Sequence, residues 1–488
     1  MKRYAGILAG VLLAGCAPAA PETAPPAAPS PQQAAADYPT TAPVPGPAPT
    51  VRVPAPERRT LPNGLTVLYV QRQEVPAVQA VLVTRGGQAD DPAGLPGLAS
   101  FTAGMLDEGA GGRSSLQLSD ALEQLGANLT TSAGWDAAQI GLYVLRNRLP
   151  EALQLMSDVV VRPDFPESEV VRMRDVLVNE LTRARDNPGA VASNAFAALV
   201  YGNEHPYGRL STTATARSLD RNRLVQFHRS YYRPESSTLI LVGNVDAATV
   251  HPMVERAFGG WQAGSVPAPA ALPTPPAAPT RIYLIDKPGA PQSEVRIGHP
   301  TVSRNNPDYF PMLVLNTLLG GSFTSRLQQN LRETHGYTYG ARSSFGWRRG
   351  AGPFQASAAV RTAVTDSSLI EFFSELNRIR AEPVPADELA RAKNYVALGL
   401  PRSLETNTAL AVGMADLATH GLDAGFYDTY VERVMAVTAA DIQRVANRYV
   451  RPGESTVVVV GDLKAIEPTV RALNMGTVEV RSVTEFVQ

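Results

Sequence analysis

The chain has 488 residues, a formal net charge of −1 at pH 7 and a single cysteine, Cys16. The near-zero charge, with no cluster of Lys and Arg, argues against a polyanion-binding surface and against nucleic acid as a partner. A lone cysteine excludes an internal disulfide, a thiolate metal cluster and a catalytic thiol within the globular body, so stability must come from burial in a chain long enough for two or more cores.

Residues 1–15 open with Lys2 and Arg3, run through apolar Ala5 to Leu13 and close on Ala14-Gly15 before Cys16. This is the pattern of a secretory signal peptide. The apolar run, about ten residues, is half the roughly 20 that a membrane-spanning helix needs. Leu13-Ala14-Gly15-Cys16 resembles the bacterial lipoprotein signal, which implies that Cys16 becomes the lipid-modified first residue of the mature chain and anchors it to a membrane. Loss of the leader would take the net charge to −3. Ala17, in place of an acidic residue after the cysteine, favours the outer membrane by resemblance to lipoprotein sorting. Residues 16–57 are rich in Pro, Ala, Thr and Gln and predict a disordered tether, with a reach on the order of 100 Å if extended.

Two blocks follow, residues 58–265 and 280–480, separated by a Pro/Ala-rich linker at 266–279. In the first, Leu65 to Gln71 and Val78 to Thr84 read as paired strands. Ile140 to Leu145 reads as another strand, and Ser115 to Leu125 and Leu149 to Val160 as helices. The second block repeats the order, with strands near Ile282 to Ile285 and Val295 to Ile297 and helices near Tyr309 to Leu319, Thr365 to Ile379 and Asp387 to Leu400. Both blocks end alike: Tyr232-Arg233-Pro234-Glu235-Ser236-Ser237-Thr238 leads into Leu239-Ile240-Leu241-Val242-Gly243, and Arg451-Pro452-Gly453-Glu454-Ser455-Thr456 leads into Val457-Val458-Val459-Val460-Gly461. Arg233 and Arg451, like Gly243 and Gly461, stand 218 positions apart. That ungapped register argues for duplication, and paired strands followed by clustered helices predict an α+β fold of two homologous α/β domains.

The segment Gly97-Leu98-Ala99-Ser100-Phe101-Thr102-Ala103-Gly104-Met105-Leu106 resembles the zinc-site segment of the pitrilysin/insulinase (inverzincin) peptidases, which include mitochondrial processing peptidase. In that family a helical His-x-x-Glu-His supplies two zinc ligands and a general base. The three corresponding positions here hold Ser100, Ala103 and Gly104, none of which can replace what was lost. Glu180 occupies the place of the family's third zinc ligand, but one carboxylate cannot hold a zinc ion. Apart from the family, it reads as an exposed helical acid pairing with Arg183. The six histidines include no pair at i, i+3 or i, i+4, and His205-Pro206-Tyr207-Gly208 reads as a turn with a structural histidine. No cofactor is expected in this chain.

In the second block, Leu319-Gly320-Gly321-Ser322-Phe323-Thr324-Ser325-Arg326-Leu327, followed by Leu331-Arg332-Glu333-Thr334-His335-Gly336-Tyr337-Thr338-Tyr339-Gly340, resembles the other half of the family's active site. There an arginine and a tyrosine seven residues apart face the zinc, and Arg332 and Tyr339 match both identity and spacing. Taken alone, the pair would be a surface arginine and a core tyrosine. Gly320-Gly321 alone reads as a helix-ending turn in which glycine tolerates positive φ. The resemblance runs from Leu61 through Gly461. It implies a zinc-free subunit of a heteromeric envelope metallopeptidase, not a zinc peptidase on its own, in which Arg332 and Tyr339 serve extended peptide substrates. Zinc is then expected on a homologous partner subunit with intact His-x-x-Glu-His. The competing readings are a non-catalytic scaffold or peptide-binding protein of the same fold, and a peptidase with a relocated metal site.

Overall fold

The computed structural model describes Gly46 and residues 53–487; the signal peptide, Cys16 and nearly all of the tether lie outside the described residues. Twelve strands build two six-stranded sheets. The first contains β1 (Glu57–Thr60), β2 (Thr66–Gln71), β3 (Ala77–Thr84), β4 (Asn128–Ala133), β5 (Ala138–Leu145) and β6 (Ser237–Gly243), in the spatial order β1-β2-β6-β3-β5-β4. In the second lie β7 (Arg281–Asp286), β8 (Gln292–Pro300), β9 (Thr338–Phe345), β10 (Pro353–Arg361), β11 (Thr456–Gly461) and β12 (Thr477–Arg481), in the order β9-β10-β8-β11-β7-β12. Read from opposite ends, the two orders agree except at one edge, where β1 comes from the start of its half and β12 from the end. The chain thus consists of two domains of one plan, each mixing helices with a sheet.

One sequence expectation is corrected here. β2 and β3 do not pair with each other: β6 lies between them, parallel to β2 (Val67 opposite Leu239) and antiparallel to β3 (Val81 opposite Ile240). The segment 72–76 therefore spans two strand spacings, about 10 Å, instead of turning a hairpin. β11 is inserted between β7 and β8 in the same way. Local pattern reports that two strands are near in sequence, and it cannot report a third that arrives much later in the chain.

The longer helices of the first half are α1 (Leu98–Gly104), α2 (Ser115–Gln124), α3 (Leu149–Val161), α4 (Glu167–Ala184), α5 (Pro188–Tyr201), α6 (Arg221–Tyr231) and α7 (Ala247–Phe258). α8 (Tyr309–Asn316), α9 (Thr365–Ala381), α10 (Ala386–Ser403), α11 (Asn407–Thr419), α12 (Ala439–Tyr449) and α13 (Leu463–Ala472) belong to the second. One face of each sheet is covered by helices of its own half: Met105, Leu153, Met156 and Val250 pack on the first, and Leu315, Phe372, Leu376 and Ile442 on the second. The other face is covered by a helix donated from the opposite half. α5 lays Val191, Ala195 and Phe196 against Ile285, Val458 and Val460, while α11 lays Leu410, Ala411 and Met414 against Val70, Val81, Ile240 and Val242. This exchange is why the central strands read as unbroken apolar runs, since a strand buried on both faces has no polar side. It also accounts for the apolar character of α5, which is started by Pro188 and capped by Asn187, whose side chain accepts the Gly189 and Ala190 amides.

Polar contacts close the seam. Thr408 donates to Gln79 (2.9 Å) and Arg72 to the Glu405 carbonyl (2.7 Å). The turn between β9 and β10 sets the Arg348 guanidinium over Trp135 (4.2 Å) and Tyr207 (4.5 Å), while Asp136 accepts both the Arg349 amide and the Tyr207 hydroxyl (2.8 Å each). His205 is structural: its Nδ1 accepts the Tyr207 amide at 3.0 Å. Leu272, within the Pro/Ala-rich stretch between the halves, packs into the same core as α5.

Candidate functional site

α1 carries the three positions of the lost zinc motif. Its first turn is held by Asp91, whose two carboxylate oxygens accept the Gly97 and Ala99 amides at 2.7 Å each. Burial pushes this carboxyl up to about 7. Ser100 is exposed, Ala103 is fully buried, and a side chain added at Gly104 would meet open space. A hydroxyl, a methyl and a hydrogen do not fit a zinc ion, which takes three protein ligands in a catalytic site. Glu180 stands exposed on α4. The expected pair with Arg183 is absent among the described residues, and the ion pairs on this helix run from Arg172 to Glu108 and Glu169, 2.6 Å each. An exposed pair one turn apart contributes too little to fix two long side chains.

In the second half the backbone departs from regular geometry at the expected site. α8 runs into a wide, π-type turn at Thr317–Gly321, and a second spans Gln329–Thr334. Such turns are rare, and where they occur it is frequently at functional sites. The role expected for Gly320 and Gly321 is corrected: neither adopts positive φ. Gly320 is needed for close approach, since a Cβ there would lie 2.2 Å from the Ser343 amide of β9. Gly336 does turn through φ 62°, ending the helical segment, and the Tyr337 amide bonds back to the Leu331 carbonyl at 2.8 Å. β9 then pairs with β10 through a bulge between Thr338 and Ala341. The Thr338 hydroxyl fixes it, donating to the Ala359 carbonyl (2.6 Å) and accepting the Gly340 amide (3.1 Å). A bulge re-aims a side chain. Here Tyr339 points outward, 86% exposed, while Tyr337 stacks on His335 and packs against the core.

Arg332 and Tyr339 are thereby brought together. The Arg332 guanidinium lies 4.9 Å from the Tyr339 ring centre and 4.7 Å from that of Phe323, and its Nε pairs with Glu333 at 3.2 Å. All three lie at a cleft of about 640 Å³ whose lining includes Gly320, Gly321, Arg342 and Tyr395. Its walls are braced from behind. Arg326 forms a two-pronged pair with Glu388 of α10 (2.8 Å each), and Gln328 accepts the Ala341 amide at 3.0 Å.

Comparison with known proteins places the chain in a family. The family model described as Insulinase (Peptidase family M16) matches residues 66–213, and the model described as Peptidase M16 inactive domain matches residues 218–396. The chain belongs to the insulinase family. An uncharacterized zinc protease of Streptomyces coelicolor is 28% identical over 418 residues, covering 83% of this chain and 90% of the relative. One from Mycobacterium tuberculosis is 28% identical over 377 residues, covering 74% and 81%. Among solved structures, a peptidase M16 inactive domain from Pseudomonas fluorescens superposes with a TM-score of 0.78 at 23% identity, covering 83% of this chain and 98% of that one. A protease from Helicobacter pylori also gives 0.78, at 20% identity and 84% and 100% coverage.

Within the insulinase family this chain departs at the zinc positions: relatives are called zinc proteases, whereas Ser100, Ala103 and Gly104 offer no ligand set. Among the described residues no three His, Cys, Asp or Glu side chains group to hold a metal. Sequence reasoning singled out Arg332 and Tyr339 and passed over Phe323 and Tyr395. Phe323 lay inside the matched segment. Tyr395 was concealed within the apolar pattern of α10.

Proposed function

We propose that this chain is the zinc-free subunit of a heteromeric envelope peptidase, lending Arg332 and Tyr339 to a partner of the same family that carries the metal and general base in an intact His-x-x-Glu-His. The observation that carries this reading is the convergence of Arg332 and Tyr339 on an open cleft, with the backbone irregularities of the second half gathered around them. Peptide hydrolysis builds negative charge on the scissile carbonyl oxygen. A phenolic O–H aimed at that oxygen stabilises the charge where it develops, and a guanidinium can hold a neighbouring backbone carbonyl of an extended substrate. Tyr339 is free to do the first because the bulge leaves it in solvent. Stacking between two rings pre-orients Arg332 for the second. On this reading, lipid on Cys16 anchors the protein to the outer membrane facing the periplasm, and residues 16–57 tether the body to it.

Mixing the purified chain with its cognate zinc subunit should raise peptide cleavage strongly, and Tyr339→Phe should remove most of the gain. A zinc subunit that is fully active alone defeats the proposal. The loss of all three motif positions also favours a second reading, a non-catalytic scaffold or peptide-binding protein. In that case Arg332 and Tyr339 substitutions would be silent in every assay of activity.

A further inference from the structure

Three aromatic side chains are more than half exposed among the described residues, and all three, Phe323 (62%), Tyr339 (86%) and Tyr395 (60%), line this cleft. Exposed apolar surface gathered in one place marks a surface that is covered in function. Phe323 projects from the loop after Gly321, and Tyr395 from α10, which the Arg326–Glu388 pair fastens to the cleft. The cleft is also one-sided in charge: its lining holds Arg332 and Arg342 but no Asp or Glu. Glu333 pairs with Arg332 and leaves Arg342 without such a counter-charge among the described ion pairs.

We infer that this cleft selects the substrate, taking an extended peptide that presents a large apolar or aromatic side chain between Phe323 and Tyr395 and an acidic neighbour to Arg342, and rejecting segments with Lys or Arg there. The inference rests on the peptide-binding part of the function proposed above, but not on the zinc partner. Burying an aromatic side chain against two rings favours it over alanine by roughly tenfold to a hundredfold. A basic neighbour would face the Arg342 guanidinium, which no carboxylate balances among the described ion pairs, and this like charge disfavours it.

The test is fluorescence anisotropy on the full isolated chain with three labelled peptides of equal length, centred on Asp-Phe, Asp-Ala and Lys-Phe. The Asp-Phe peptide should bind at least about tenfold tighter than either other. Phe323→Ala and Tyr395→Ala should each erase the preference for Phe over Ala, and Arg342→Gln the preference for Asp over Lys. These side chains are exposed, so the variants should keep the parent's melting temperature, and Arg58→Gln, on the exposed edge strand β1 of the first half and outside the cleft lining, serves as the charge control. Equal affinities, tighter binding of the Lys-Phe peptide, or no binding by any peptide up to about 1 mM overturns the inference. A zinc subunit active alone would remove the heteromeric reading and leave this selectivity standing.

Discussion

At equivalent places the two halves pass from a helical segment through a left-handed glycine into an edge strand: α2, Gly126 (φ 59°) and β4 in the first, the segment 326–334, Gly336 (φ 62°) and β9 in the second. In the first half everything is regular. α2 is an ordinary helix opened by a capping box at Ser114 and Gln117, and β4 pairs with β5 in unbroken register from Asn128 opposite Tyr143 to Ala133 opposite Ala138. The second half adds a π-type turn ahead of Gly336 and a bulge after it, and these irregularities set out Arg332 and Tyr339. Each irregularity breaks part of a hydrogen-bond ladder, so its persistence in one copy and absence from the other locates where geometry serves something besides folding. The first half, with its metal positions gone, shows what the fold alone requires.

The most severe way to break this contrast is to make the second edge like the first. Tyr339→Phe removes only a hydroxyl from an exposed ring, so folding should be unaffected. On the proposed function, cleavage by the chain with its zinc subunit should nonetheless fall about 10²- to 10³-fold in kcat/KM, the usual cost of losing one donor to a developing oxyanion. Deleting Gly340 would restore a regular register and shift Tyr339 relative to the sheet; since a one-residue slip exchanges faces, it should cost activity as heavily while the thermal melt survives. A deletion variant with full activity would mean that the bulge does not aim the tyrosine.

A second contrast concerns acid. Each half buries one neutral histidine whose pKa burial pushes down to about 4: His228, bonded to the Val160 carbonyl at 2.8 Å, and His299, whose Nε2 accepts the Arg451 amide at 2.9 Å. Because the folded values lie below the ordinary 6.5, the stability involved is complete above about 6.5 and is lost as pH falls toward 4, at most on the order of 3 kcal/mol per histidine. Denaturant melts between pH 7 and pH 4 should follow that fall. His299 should matter more for the second half's integrity, since protonation would set an N–H against the Arg451 N–H, whereas His228 already donates to a carbonyl. His228→Phe should remove part of the acid sensitivity, and an unchanged pH profile would rule out titration of that site.

Much of the architecture was legible in the residues. The Arg233/Arg451 register and the Pro-rich break at 266–279 announce the duplication, and the Val457 to Val460 run announces a buried strand. What buries it was not legible, because α5 and α11 carry no mark saying that they cross to the other half. For the same reason β6 could not be placed between β2 and β3, since strand neighbours distant in sequence leave no local trace. At the site, spacing carried Arg332 and Tyr339. The bulge and π-type turns depend on tertiary contacts such as Gly320 against Ser343, and the exposed faces of Phe323 and Tyr395 depend on what fails to cover them.

The smallest effects probe whether the first half could be returned to metal binding. Ser100 is exposed and Gly104 faces open space, so Ser100→His and Gly104→His should be tolerated. Ala103 is the obstacle: it is fully buried, so Ala103→Glu combines overpacking with an unpaired buried carboxyl, a loss of roughly 2–5 kcal/mol. Gly104→Ala isolates the gentlest term. No atom opposes the added methyl and the position is helical, so the chain should gain about 0.5–1 kcal/mol from the stiffer backbone, read as a small rise in denaturation midpoint. If Gly104→Ala destabilises instead, some contact fills that open space in solution, and the vacant face of α1 is an occupied surface and not a relic.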